Sequence, residues 1–207
     1  PRLSYNYLRA PGYFVVPSIS AHGTYYNLTQ VSESAMTAPS RLVPTFSLDS
    51  GLIFERDTGF FGRSAVQTLE PRAFYTYTSY VQQNGSLYPN FDTTIADLSY
   101  GMMFRENSFI GNDRIADRNA ATLGMTSRMI EANTGAERAN VTLAQQQQFT
   151  GQKVGLNGNI VNPTTYSDTL GAASVRLLGN FSADMFGQYN TQLNRFVQTT
   201  VGGSWPT

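Results

Sequence analysis

The chain has 207 residues, with 14 Lys+Arg balanced by 14 Asp+Glu, a single His and no Cys. Only 14% of it is charged, against about 25% in an ordinary soluble domain, and apolar residues do not make up the difference. Zero net charge leaves no electrostatic footprint for nucleic acid. The missing cysteines exclude a disulfide-stapled miniprotein and a thiolate metal domain, and no run approaches the roughly 18 apolar residues of a membrane helix. Uncharged polar residues, 18 Gly, 13 Phe and 12 Tyr fill the gap.

In chain order the dominant signal is alternation with a period of two residues, the mark of a strand with two different faces. Pro1 to Leu8 reads like the inside of a strand, with no signal peptide, so the chain is expected to be cut from something longer. Over 13–26, Tyr13, Val15, Ile19 and Tyr25 share the apolar face. Over 42–55, Leu42, Pro44, Phe46, Leu48, Leu52 and Phe54 oppose Thr45, Ser47, Asp49 and Glu55. A modest link is expected at 57–64. A rising strand follows at 65–79, where Leu69, Pro71, Ala73, Tyr75 and Tyr77 oppose Glu70, Arg72, Thr76 and Thr78. Residues 80–118 form a long irregular connection, far above an ordinary hairpin loop. Alternation resumes at 121–131, turns tightly at 132–135 and returns over 137–149, with the Gln145–Gln148 run finishing that strand. Further strands are expected at 173–177, 181–190 and 195–205, the first two joined by a short turn at 178–180.

These segments run longer than the usual soluble strand of about 5–6 residues. A transmembrane β-strand needs about 9–11 residues. Alternation of lipid-facing and lumen-facing residues also accounts for few charges and many aromatics. Tyr25, Tyr26, Tyr75, Tyr77, Tyr80, Phe149 and Tyr189 fit interfacial girdles. The expected class is therefore all-β, an antiparallel transmembrane β-barrel with about eight to ten strands in this chain. A soluble β-sandwich with an aromatic core is the competing architecture. Short turns on one side and a long loop on the other match the outer-membrane arrangement, which places the short turns in the periplasm and 80–118 outside the cell.

Candidate chemistry is sparse. His22 lies on the polar face of its strand, and no Gly-x-Ser-x-Gly elbow surrounds any Ser, so a hydrolase triad has little to stand on. One His, no Cys and scattered carboxylates give no metal-site spacing, and no cofactor motif is present. The charges are more informative, since all basic residues except Lys153 are Arg, which binds carboxylate and phosphate through a planar fork. Arg105, Glu106, Asp113, Arg114, Asp117 and Arg118 crowd into the end of the long loop. The expectation is an ion-paired plug folding back over the lumen, with Glu70 and Arg72 on the lumen face available to bond it; a solvated loop is the alternative. A charge pair facing lipid would be costly, so the same parity identifies the lumen face.

Several collinear runs resemble a known family. They are Arg41-Leu42-Val43-Pro44 through Leu48-Asp49-Ser50-Gly51-Leu52, Phe54-Glu55-Arg56, and Gln67-Thr68-Leu69-Glu70-Pro71-Arg72-Ala73-Phe74-Tyr75. Pro89-Asn90-Phe91-Asp92-Thr93, Phe104-Arg105-Glu106-Asn107, Asp113-Arg114-Ile115-Ala116-Asp117, Leu123 to Arg128 and Gly135-Ala136-Glu137-Arg138 follow. In this order they are similar to the LptD (OstA/Imp) family of outer-membrane lipopolysaccharide-assembly proteins, most specifically over 41–149. The resemblance implies a very large barrel behind a periplasmic jelly-roll domain, plugged by an LptE-like lipoprotein. Lipopolysaccharide would arrive along an LptA-like periplasmic bridge and leave through a lateral opening between the first and last strands. Residues 1–207 would be one segment of that barrel in the outer membrane of a Gram-negative bacterium, in contact with its lipid, translocating without covalent chemistry. The family's interdomain disulfides cannot form within a chain that has no Cys. The expected structural network of loop and lumen is Glu70, Arg72, Asp92, Arg105, Glu106, Asp113, Arg114, Asp117 and Arg128. A porin-like channel is the alternative function.

Overall fold

A computed structural model describes residues 1–9, 12–28, 39–85, 88–157, 166–177 and 181–205. Its main sheet is an antiparallel meander of eleven strands. In chain order these are β1 (Arg2–Ser4), β2 (Tyr7–Arg9), β3 (Tyr13–Tyr25), β4 (Ser40–Leu52), β5 (Phe54–Phe60) and β6 (Arg63–Thr78). After the long connection come β9 (Arg118–Glu131), β10 (Glu137–Gln148), β11 (Tyr166–Arg176), β12 (Ser182–Asn190) and β13 (Arg195–Ser204). The connection itself holds a two-stranded ribbon, β7 (Thr94–Ile95) with β8 (Phe109–Ile110), and one helical turn, α1 (Tyr100–Met103).

Because β1 and β2 both pair with β3, and β4 and β5 both pair with β6, the strands occupy nine positions across the wall. The sheet is open, with β1 and β13 at its two ends. The break between β4 and β5 falls at Ile53, whose amide donates to Gly12 O at 2.8 Å, one step beyond the Tyr13↔Leu52 pair. The strand expected over 42–55 thus runs on through β4 into β5, both paired with β6 in a single register and interrupted only at Ile53.

The link expected at 57–64 is a hairpin instead. β5 and β6 stay paired from Phe54↔Leu69 to Phe60↔Arg63, leaving Phe61 and Gly62 as the loop, with φ of 47° and 77°. Positive φ at both central residues matches the twist of the flanking strands, and Gly62 takes that conformation without a Cβ penalty. β11 likewise starts earlier than the expected 173, and the turn expected at 178–180 lies outside the described residues.

The register settles which residues share a face. On β4, Arg41, Val43, Thr45 and Ser47 are buried while Ser40, Leu42, Pro44 and Phe46 are exposed. On β9, Arg118, Ala120, Thr122 and Thr126 are buried, whereas Leu123 is 66% exposed. The sheet is therefore inverted relative to a soluble protein, with large apolar side chains outward and hydroxyls and charges inward. Thr45 and Thr78 hydrogen-bond across β4 and β6 at 3.0 Å, and Thr126 and Thr142 across β9 and β10 at 3.2 Å.

The apolar core lies on that inner face, beneath the long connection. Met103 and Phe104 pack with Phe74, Ala144 and Leu170, joined by Leu98, Tyr100 and Phe186. A second cluster joins Phe109 and Ala116 of the connection to Val154 and Leu156. The sheet and the connection form a wall and a cap.

Candidate functional site

The cap occupies 79–117, between β6 and β9, and is built by a clasp between two of its turns. Asp92 Oδ1 accepts from the amides of Asn112 at 2.9 Å and Asp113 at 3.1 Å. Thr93 Oγ1 accepts from the amides of Asp113 at 2.9 Å and Arg114 at 3.1 Å. In return, Asp113 Oδ2 accepts from the amides of Phe91 and Asp92 at 2.5 and 2.8 Å. Irregular backbone carries many amides and carbonyls without ladder partners, and short carboxylate and hydroxyl side chains supply them here.

Arg114 does the same for carbonyls. It is 1% exposed and donates to Tyr88 O at 2.7 Å, Asp113 O at 2.8 Å, Leu156 O at 3.1 Å and Pro89 O at 3.2 Å. Its planar fork binds segments far apart in sequence at one point. Burial pushes its guanidinium down from the usual value, while Tyr26 and Asp113 favour its charge.

Wall and cap meet at several further contacts. Arg41 of β4 donates to Gln83 Oε1 and Asp113 O, each at 2.7 Å, and to Asn112 O at 2.8 Å. Gln83 completes a two-way bond with the Ile115 backbone at 2.7 and 2.9 Å. Tyr26 donates to Asp113 Oδ1 at 2.6 Å. Tyr26 is 8% exposed, so it belongs to the cap seat and not to the outer girdle expected for it. Burial and its bond to Asp113 push its phenol up to about 12. Burial would raise the Asp113 carboxyl, but the bonds from Tyr26, Phe91 and Asp92 outweigh that and hold it below the usual carboxylate range.

The remaining expected residues are spread more widely. Asp117 accepts from the amides of Lys153 at 2.9 Å and Val154 at 2.8 Å, fastening the segment after β10. Arg105 contributes its carbonyl, which accepts from Arg118 at 2.7 Å, while its side chain is exposed beside the Met102 sulfur. Glu106 reaches the wall, accepting from Ser47 at 2.6 Å and lying 3.4 Å from Arg2. Arg72 forms a fork with Asp49 at 2.9 and 2.6 Å and stacks over the Phe104 ring of the cap at 4.3 Å. Glu70 and Arg128 pair on the wall at 3.5 Å.

The loop charges thus bond mainly to backbone, not to opposite charges. Among the described residues, the Arg2–Glu106 pair is the salt bridge that joins cap to wall, and the others join wall strand to wall strand. Sequence reasoning also missed Arg41, Tyr26 and Gln83. Gln146, read as the end of a strand, is buried, accepts from Arg118 at 2.7 Å and donates to Met103 O at 3.1 Å. Regular alternation marks such residues as inward-facing but not as cap-holding.

Between the cap and β3–β4 lies a polar recess of about 460 Å³, lined by Arg2, His22, Asp49, Arg105 and Glu106 among others. No group of three or more His, Asp and Glu that could hold a metal occurs among the described residues. The arrangement covers one side of a sheet with a cap held by its own hydrogen bonds and leaves charged side chains on the recess beneath it.

The family model described as "LptD: LPS transport system D" matches residues 1–207. "LPS-assembly protein LptD" of Acidovorax sp. (strain JS42) is 42% identical over 196 residues, which is 95% of this chain and 24% of that protein. The protein of the same name from Ralstonia nicotianae is 44% identical over 213 residues, covering 99% and 26%. That of Burkholderia cenocepacia is 41% identical over 206 residues, covering 98% and 26%. The chain spans about a quarter of the length of these curated relatives.

Proposed function

The chain belongs to the LptD family, and we propose that it forms an arc of the wall of an outer-membrane barrel that carries lipopolysaccharide to the outer leaflet. The observation that carries this reading is the inverted sheet. Leu42, Phe46, Leu52, Leu69, Leu123, Met125, Val141 and Leu143 are exposed together on one face, which in water would be a large aggregation-prone patch. From Leu42 to Leu52 the outward residues cover about 33 Å of strand, or about 25 Å of height at a tilt of about 40°, the height of a barrel's apolar band. Ladder groups at the ends of an open sheet need partners in lipid, so β1 and β13 would continue into neighbouring strands of the complete protein.

On this reading the capped face is the lumen, the cap lies on the extracellular side and the short turns are periplasmic. The work is translocation: the polar interior accommodates sugars and phosphates while acyl chains pass to the membrane. An LptE-like lipoprotein in the lumen and an LptA-like bridge delivering the glycolipid are the partners the family implies. The cap residues Asp92, Asp113 and Arg114 then act as a structural seal, with Arg72 and Glu106 fixing it to the wall.

The test is Arg114→Glu in the complete protein. A carboxylate cannot donate to four carbonyls, so the cap should detach at a cost of about 3 kcal/mol or more. Cells should lose heat-modifiable barrel and become sensitive to bulky hydrophobic antibiotics. Unchanged assembly together with unchanged permeability would remove the seal. Steady porin-like conductance of the wild-type protein in planar bilayers would favour a general channel over glycolipid transport.

A further inference from the structure

At the end of the wall opposite the cap, the outer face changes character. Below Phe54 and Leu69 the outward positions become Arg56 and Gln67, opposite Met129, and Arg56, Gln67 and Ser127 hydrogen-bond in succession at 2.7 and 3.1 Å. Polar side chains bonded sideways across strands mark where hydrocarbon gives way to headgroups. One step beyond, Glu131 is 3% exposed and holds two guanidiniums, Arg63 at 2.6 Å and Arg138 at 2.5 Å. Arg176 lines the same pocket, with Phe60 and Phe61 beside it. The two rings meet edge-on with centroids 4.7 Å apart, and Phe61 is 68% exposed.

Three arginines and one carboxylate line the pocket, so this rim keeps a positive excess. The nearby Glu137 is engaged by Arg128 at 3.6 Å and Asn140 at 2.6 Å. Glu131 fixes two of the arginines side by side, leaving other N–H groups of each for a further acceptor. An anchored basic cluster beside exposed rings, at the level where the apolar band ends, combines charge for a phosphate with surface for an acyl chain.

We propose that this rim cluster of Arg63, Arg138 and Arg176 binds, on its exposed side, the headgroup of an anionic phospholipid of the inner, periplasmic leaflet, with Phe60 and Phe61 against its upper acyl chain. The inference rests on the membrane reading above. It gives the β5–β6 hairpin a role that the cap and recess do not use, holding the wall at a fixed depth.

Native mass spectrometry of the complete protein, released from detergent with phosphatidylglycerol or phosphatidylethanolamine added, tests it. Arg176→Gln is the first variant, because Arg176 lies outside the Glu131 pairs, and Phe61→Ser is the second. Wild type should retain phosphatidylglycerol in preference to phosphatidylethanolamine. Each variant should lose roughly fivefold of that retention while remaining heat-modifiable. Equal retention of phosphatidylglycerol by wild type and both variants overturns the proposal and leaves the barrel reading standing. Inorganic phosphate that binds as well as the lipid also overturns it, since the site would then take a free anion. A wild-type protein with no heat-modifiable form strikes the membrane reading itself and takes this proposal with it.

Discussion

Asp113 shows how one side chain organises an irregular segment. Its carboxylate joins Tyr26 of the wall side to the Phe91 and Asp92 amides of the cap. Because its folded pKa lies below the unfolded value of 3.8, its contribution is fully present above that value and is lost as pH falls through the folded one. Cap stability should therefore stay level from neutral pH to about pH 4 and fall in stronger acid. Pepsin cleavage within 79–117 of the complete protein should rise along that acid limb. Asp113→Asn should be cleaved faster at pH 4 and show a flatter acid limb, whereas an unchanged profile in the variant would place the titration elsewhere. The loop charges were legible in the sequence because Arg105 to Arg118 is dense in them. Their partners were not, since backbone amides and carbonyls have no sequence signature and every residue carries them. Arg41 illustrates the gap: it stands in a strand, 72 positions before the carbonyl of Asp113 that it holds.

At the scale of elements, alternation revealed the outer face well, because large apolar residues stand at nearly every second position there. The inner face is less uniform, which is why the cap seat was hidden. Phe74, Ala144, Leu170 and Phe186 all face inward, and without the register an inward Phe cannot be told from a break in the pattern. The hairpin at Phe61-Gly62 was hidden for another reason, since Phe is a poor signal for a turn position that usually carries Asn, Asp or Gly. The cap's docking depends on Gly124 of β9, where a Cβ would lie 2.7 Å from the Phe104 ring and 3.0 Å from the Tyr100 hydroxyl. Gly124→Val should therefore lift α1 from the wall, costing about 1–3 kcal/mol of cap docking. Trypsin should then cut at Arg105 faster than in wild type, with the heat-modifiable barrel retained. Cleavage at the wild-type rate would mean that the close approach does not hold the cap.

For the whole molecule, the low charge has a structural cause. On the proposed reading, a wall with one face in lipid and the other under a cap has little surface that calls for charge, and many of the charges it keeps gather at the cap, its seat and the short-turn rim. The strand pattern and chain order of the fold were readable, because each strand satisfies two environments along its length. The packing of the cap was not, because it depends on which strands lie side by side. The central claim is that the face bearing Leu123 meets lipid while the face bearing Thr126 meets the lumen. Single cysteines placed by Leu123→Cys, Phe46→Cys and Thr126→Cys in an otherwise cysteine-free complete protein, labelled with a fluorophore before membrane reconstitution, test this directly through quenching by lipid-attached nitroxide and by aqueous iodide. The account predicts that the probes at 123 and 46 are quenched by the lipid nitroxide and shielded from iodide, and that the probe at 126 is spared by the nitroxide. Equal iodide quenching at all three positions, with no nitroxide effect at 123, would contradict it.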